Sequence, residues 1–407
     1  MKTKTQKHPS GGPSQFQRSG WLVGRALVRF LLLIILIRLV RDTSIRMLFP
    51  FLPEYARGLG ITLTAAGLLL MTRTLLGVLA PLFGDKADHV GNRPLLMVGF
   101  TLLGIGLLLF SFAQGLVTAL LAMVLLGIAD AIVLPILQAY VSEQSPPQQR
   151  GRSLATVEYS WAISGIIMLP IIGWLITVNS WQAPFRLLGV ASFIAVAILW
   201  FFLPPDIRRR DEKHASLSEK MKSIIADRSA LGSILTFAIL FIALEAFFIT
   251  WGAHLERSFG LSPNEIGRVA IAFGVAELGG SVLASMLVDR TGKRRSVIGG
   301  LICAAGALAL LPWLNQSLLS LIIGLSLASV AFEFTIVSNI PLMSEQRPGN
   351  RATVLAMGAL AATFTRGLTD PTATWLLENS NFLMTMLLGF VAILVALMVL
   401  WRWVEER

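Results

Sequence analysis

Twelve apolar stretches fill residues 27–403, and they fall into two sets of six whose sequences echo one another. Each is about as long as a helix must be to cross the hydrocarbon core of a bilayer, which takes about 20 residues. They lie near 27–52, 64–83, 95–113, 116–140, 154–178 and 185–204, then near 230–252, 266–288, 296–314, 318–341, 353–377 and 382–403. The echo is clearest in the charged turn after the second stretch of each set. GDKADHVGNR at 84–93 is answered by DRTGKRR at 289–295. Arg57, Gly60 and Gly67 recur as Arg257, Gly260 and Gly267, and Ser142-Glu143-Gln144 recurs as Ser344-Glu345-Gln346. Internal repetition constrains architecture more than any local motif. In an apolar chain it points to a carrier built from repeats, with its site where the repeats meet.

The chain is 55% hydrophobic and only 14% charged, against about 25% charged for a soluble domain. The expected fold is therefore an all-α membrane protein with twelve transmembrane helices in two pseudo-symmetric halves. The expected divisions are a disordered tail over 1–26, a first half over 27–204, a linker over 205–229 and a second half over 230–407.

A net charge of +11 could mean a nucleic-acid partner, but its distribution says otherwise. Most Lys and Arg sit in the tail, the linker, the C-terminus and the turns that share their side. The opposite side carries only Arg57, Arg186, Arg257 and Arg268. This is the positive-inside asymmetry. It predicts an integral plasma-membrane protein with both termini cytoplasmic, lipid as its surroundings and no nucleic acid as a partner. The first apolar stretch is too long and too charged for a signal peptide. Cys303 stands alone and reads as a small hydrophobe. There is no GxxxxGK[ST] for nucleotide, no His/Cys cluster with metal spacing and no Ser/His/Asp arrangement. The expectation is a non-enzymatic chain without metal or cofactor, acting as a monomer on a small-molecule substrate.

Charged side chains inside a bilayer are costly and mark function by default. The first stretch carries Arg38, Arg41, Asp42 and Arg46, the second Arg73, the fourth Asp130 and the fifth Glu158. The seventh carries Glu245, the eighth Glu277, the tenth Glu333, and the eleventh Arg366 and Asp370. The third, sixth, ninth and twelfth carry none in their interiors. That is a period of three, and it predicts that these four helices face lipid. Arg38, Arg41, Asp42 and Arg46 project within one wedge roughly 140° wide at 100° per residue. They suggest a ladder in which arginines satisfy Asp42 from both sides. Arg366 and Asp370 suggest a second i, i+4 pair.

These features resemble the major facilitator superfamily over nearly all of 27–403. The first turn resembles that family's signature between helices 2 and 3 through Gly84, Asp88, Gly91 and Arg93, with His89 and Asn92 where basic residues are more usual. The second keeps Asp289, Arg290 and Gly292, with Ser285 in place of the leading Gly. The resemblance implies that Asp88 with Arg93, and Asp289 with Arg290, form a cytoplasmic latch that holds an outward-facing state. It implies alternating access about the interface of the halves.

Two readings of the intramembrane charges compete. Burial favours the neutral form of a carboxyl group, so Glu245, Glu277 and Glu333 suit proton-coupled export of drug-like or amphiphilic compounds, driven by the proton gradient. Asp42, flanked by arginines, is the weaker proton carrier. Tyr159, Trp161, Phe247, Trp251, Phe332 and Phe334 could line an apolar cavity. Alternatively, Arg38, Arg41, Arg46 and Arg73 suit a carrier of small organic anions. Arginines free of acidic partners would favour the anion; fully paired ones would favour the exporter. A membrane sensor without flux is the remaining alternative.

Overall fold

The computed structural model describes residues 22–206 and 217–406, apart from the side chains of Asp85, Asp88 and residues 217–220. Most of the expected tail, 1–21, and residues 207–216 of the linker lie outside the described residues. What is described is helical, with no strand.

The first apolar stretch is α1 (Gly24–Arg46), beginning three residues before the expected boundary, and a short α2 (Leu52–Leu59) beyond a turn at 47–51. The second is α3 (Leu63–Leu75), continued through a tight turn at Leu76–Leu79 into α4 (Ala80–Val90). Then come α5 (Asn92–Ser111) and α6 (Leu116–Gln144). The fifth stretch is α7 (Arg150–Ile163), a π-helical turn at Ser164–Met168, and α8 (Leu169–Val178); the sixth is α9 (Ala183–Phe201). In the linker, α10 (Leu217–Ala226) buries Ile224 and packs on α11 and α15. The second half is α11 (Arg228–Phe259), α12 (Pro263–Thr291), α13 (Lys293–Leu314), α14 (Leu318–Glu345), α15 (Arg351–Asn379) and α16 (Phe382–Trp403).

The echoed glycines do the same work in both halves. Gly60 and Gly260 end α2 and α11 at φ +65° and +67°. Gly91 and Gly292 end α4 and α12 at φ +102° and +88°, a region that side-chain-bearing residues rarely adopt. The next helix then starts at once, so the signature turns are sharp reversals rather than loops.

Packing repeats with the sequence. Within the first half α1 packs on α7 and α9, α3 on α6, and α5 on α6 and α9. Within the second half α11 packs on α15 and α16, α12 on α14, and α13 on α14 and α16. These are the same five pairings. The expected lipid-facing helices α5, α9, α13 and α16 carry exposed apolar residues such as Val98, Ile194, Ile302 and Met398. Ten of the expected twelve spans are long and apolar enough to cross a membrane. The other two stretches of comparable length, α1 and α15, are those that carry several charges each. Of these charges, Arg38, Asp42 and Arg46 of α1 and Asp370 of α15 are buried against other helices.

The two ends of the described residues lie on one face. Leu22 donates to the Gln144 carbonyl, and the Glu405 N–H donates to Ser229. On this face each half has a reciprocal cap. Asp206, just past α9, accepts from the Arg93 N–H at 3.1 Å, while the Arg93 guanidinium donates to the carbonyls of Leu199 and Trp200. Glu406, just past α16, accepts from the Lys293 N–H at 2.7 Å, while Arg294 donates to the carbonyls of Val404 and Trp401. A helix N-terminus gains an anion and a C-terminus gains a cation, both favourable to the helix dipole.

The halves meet along two seams, α3 against α15 and α8 against α12. Toward the face opposite the chain ends the seams are close. A Cβ on Gly252 would lie 2.2 Å from the Pro50 carbonyl oxygen, and one on Gly173 would lie 2.3 Å from that of Pro263. Thr64 bonds Glu378, the Asn264 N–H donates to Thr177, and Arg57 pairs with Glu256. Toward the terminal face the halves diverge. There α4 packs on α5 and α6, and Glu158 and Tyr159 on α7 are half-exposed. The molecule is closed at the far face and opens toward the face with both chain ends.

Candidate functional site

The wedge on α1 points into the first half and assembles a chain of charges. Arg38 donates to both oxygens of Glu158 on α7, one of these bonds at 2.6 Å, and to Asp42 at 3.2 Å. Arg41 bridges Asp42 at 3.1 Å and Asp130 of α6 at 3.0 Å. Arg73 of α3 takes the other Asp130 oxygen at 2.7 Å and also donates to the carbonyl and hydroxyl of Ser44. Ser160 donates to Asp42 at 2.6 Å. Three guanidiniums and three carboxylates thus form one continuous, electrically neutral chain. Arg38, Asp42 and Arg73 are almost wholly buried within it. Glu158 closes it, and sequence reasoning noted that residue without placing it in the site.

Arg46 is a correction. The expected ladder has it satisfying Asp42, but the acid is already held by Arg38, Arg41 and Ser160. Arg46 points across the interface and donates to Glu277 of α12 at 2.7 Å. Its guanidinium also donates to the Trp161 carbonyl and lies 4.9 Å from the Trp161 ring centre. Space for it comes from Gly165, where a Cβ would lie 2.6 Å from a guanidinium nitrogen. Gly165 sits in the π-helical turn, a feature often found at functional sites.

A second correction concerns α15. Arg366 and Asp370 are spaced for an i, i+4 pair, but Arg366 pairs with Glu245 of α11 at 2.7 Å. Asp370, fully buried, accepts from Thr74 of α3 at 3.1 Å. Glu333 of α14 accepts from Ser281 of α12 at 2.6 Å and has no ion-pair partner among the described residues. Around the interface, two arginines, Arg46 and Arg366, therefore face four acids: Glu245, Glu277, Glu333 and Asp370. The Arg-rich and acid-rich halves expected from the sequence are real in composition. In space the first is neutralised internally, and the second is left with excess acid.

Four of the six aromatic residues expected to line a cavity do other work. Phe247, Trp251 and Phe332 are buried; Phe247 and Trp251 pack with Phe273, and Phe332 packs with Phe247. Trp161 lies under Arg46, and Tyr159 is exposed.

Asp289 and Arg290 are exposed and make no hydrogen bond or ion pair among the described residues. The Asp88 side chain, and with it the expected pairing to Arg93, lies outside the described residues; the Arg93 guanidinium caps α9. Gly84 meets no neighbour that a Cβ would touch. The caps from Asp206 and Glu406 escaped sequence reasoning. The one available signal was an acid just past the last apolar stretch of each half.

Comparisons with known proteins agree with this geometry. The profile of the Major Facilitator Superfamily matches residues 34–252 and 233–407. A Bacillus subtilis protein named for niacin and nicotinamide transport, NiaP, is 26% identical over 232 residues, covering 56% of this chain and 57% of that one. Quinolone resistance protein NorA of Staphylococcus aureus is 23% identical over 234 residues, covering 57% and 59%. These matches span less than two thirds of either relative. Among solved structures, an inward-facing, unoccupied bacterial homolog of the lysosomal transporter Spinster has a TM-score of 0.76 at 13% identity, covering 95% of this chain and 99% of that one. A D-xylose–proton symporter has a TM-score of 0.76 at 17% identity, covering 93% and 98%. At such identities the structural likeness speaks for the fold, and the family match speaks for the class. The chain belongs to the Major Facilitator Superfamily and is a membrane carrier rather than an enzyme.

Proposed function

We propose that this carrier exports drug-like or amphiphilic compounds across the plasma membrane in exchange for protons, with both chain ends in the cytoplasm. The observation that carries the reading is the neutral chain Glu158–Arg38–Asp42–Arg41–Asp130–Arg73. Each arginine suited to an organic anion is already paired with carboxylates, and Arg46 is paired with Glu277. An anionic substrate would have to break a buried pair, and removing one partner of such a pair costs about 3–5 kcal/mol.

Excess acid at the interface supports the proton half of the reading. Glu333 has no cation beside it, and it shares α12 as a neighbour with the Arg46–Glu277 pair. A carboxyl group there can take a proton from one side and release it on the other as the halves rock. A substrate would enter from the open face, and the basic surplus on that side favours its being cytoplasmic. The similarity to a quinolone resistance protein favours an amphiphilic substrate. The similarity to a protein named for niacin transport favours the anion carrier, which is the second reading.

The test is flux in reconstituted lipid vesicles under an imposed pH gradient, with an amphiphilic cationic dye and with nicotinate. Export coupled to protons predicts uphill dye movement that collapses with the gradient, and no nicotinate movement. Nicotinate flux without dye flux would replace this reading by the anion carrier. No flux of any solute would leave the sensor.

A further inference from the structure

The two seams are related by the internal repeat, and their far-face ends differ in one charge. Their register matches. A Cβ on Gly67 would lie 2.8 Å from the Asp370 carbonyl oxygen, and one on Gly267 would lie 2.8 Å from that of Leu169. At the far end of each seam, a main-chain N–H in the first turn of one half's helix donates to a side chain of the other half. The Thr64 N–H of α3 donates to Glu378 of α15 at 2.9 Å, and the Asn264 N–H of α12 donates to Thr177 of α8 at 3.1 Å. Thr62 and Ser262 cap the two helices alike. The acids do not match. In α12, Glu265 closes a capping box with Ser262 of the same helix. In α3, Ala65 stands at the corresponding place, and the first turn holds no acid. Its carboxylate comes from the other half: Glu378 Oε2 accepts both the N–H and the hydroxyl of Thr64. Thr177, which corresponds to Glu378 in the repeat, supplies only a hydroxyl, itself donating to the Gly173 carbonyl.

We propose that Glu378 is a brake on opening of the far face: α3 has an N-terminal carboxylate only while that face is closed, whereas α12 carries its own in every state. The first N–H groups of a helix lack partners within it, and its N-terminus favours an anion. When the halves part, α3 leaves these groups to water and Glu378 loses both bonds to Thr64. Bonds to an ionised acceptor are roughly twice as strong as neutral ones. The α8–α12 seam gives up one neutral bond and keeps its capping box. The α3–α15 seam therefore resists parting more than its counterpart does. Glu378 moves with the second half, because Arg257 of α11 donates to the adjacent Leu377 carbonyl at 3.1 Å. Arg57 and Glu256 also join the halves at this face. That pair is a weaker brake, since Arg57 keeps Glu54 of its own helix when it lets go of Glu256.

The proposal needs neither substrate nor gradient, so its failure and that of proton-coupled export are distinguishable. Spin labels on the exposed loop residues Gln114 and Gln316, in a Cys303→Ser background, read the far face of the purified full-length chain in lipid. Double electron–electron resonance gives the populations of near and far label pairs. Glu378→Gln keeps the size of the side chain and should raise the far population severalfold. Ala65→Glu gives α3 an acid of its own beside Glu378, and should by itself raise that population too. In the double variant Ala65→Glu with Glu378→Gln, α3 is capped in both states. Its unfolding temperature should recover while the far population stays raised. A return to wild-type distances in the double variant would mean that capping from any source sets the balance, and would overturn the brake. An unchanged distribution in Glu378→Gln would overturn it as well. Glu265→Ala should lower the unfolding temperature without changing the distances. A shift there as large as that of Glu378→Gln would overturn the asymmetry between the seams.

Discussion

Arg46 of α1 donates to Glu277 of α12 at 2.7 Å, so a residue expected to serve a ladder on its own helix instead ties the two halves together. Both side chains are buried, at 3% and 7% exposure. The partner left behind when one is removed keeps an uncompensated charge. Arg46→Gln or Glu277→Gln should each destabilise the purified protein by about 3–5 kcal/mol. The double variant should recover a large part of the loss, because it removes both charges. Thermal unfolding of the three variants forms a double-mutant cycle that measures the coupling. Additive losses would show that the pair is a neighbourly accident rather than a tie.

Glu333 is the complementary case, an interface acid held only by the Ser281 hydroxyl. Glu333→Gln preserves shape and hydrogen bonding but cannot bind or release a proton. It should keep the wild-type unfolding temperature to within a degree or two and abolish transport driven by a pH gradient. Dye binding, followed by fluorescence, should persist. Retained uphill transport in this variant would remove Glu333 from the coupling path.

The closed far face rests on backbone proximity as much as on side chains. Gly252 meets Pro50 so closely that any Cβ collides with main-chain atoms, which cannot swing aside like a flexible side chain. Gly252→Ala should therefore separate α11 from the turn after α1 and raise the population open to the far face. With Cys303 replaced, a cysteine placed at Phe49, 5% exposed in the closed state, should react faster with a membrane-impermeant thiol reagent in the Gly252→Ala background. Equal reactivity in both backgrounds would mean that the contact is slack.

Much of the architecture was legible because it is written in periodicities. The echo of Gly60 and Gly91 at Gly260 and Gly292 predicted two matching sets of turns, and all four glycines adopt the positive φ that explains them. The three-helix period of charges predicted which helices would be peripheral. The partners of those charges were not legible. Arg38 meets Glu158 120 positions away and Arg46 meets Glu277 231 positions away, whereas the i, i+4 rule sees one helix only. For Arg38 and Asp42 that rule was right. For Arg366 and Asp370 it was not, because Glu245 on a packed neighbour approaches Arg366 and Asp370 turns toward α3. Local spacing proposes pairs, and interhelix packing decides among them.

The neutral chain in the first half makes a prediction of the opposite sign to the exporter reading, and so tests its main support. Asp130 holds both Arg41 and Arg73. In Asp130→Asn two guanidiniums lose their shared carboxylate while the amide keeps the size of the side chain. The variant should lose about 3–5 kcal/mol of stability, as for other broken buried pairs. It should also gain what the wild type lacks, an unfolding temperature that rises with added nicotinate, because a bound anion stabilises the folded state by mass action. The wild type should show no such rise. Stabilisation of the wild type by nicotinate at comparable concentrations would mean that the arginines are accessible despite their partners, and the organic-anion reading would then take precedence.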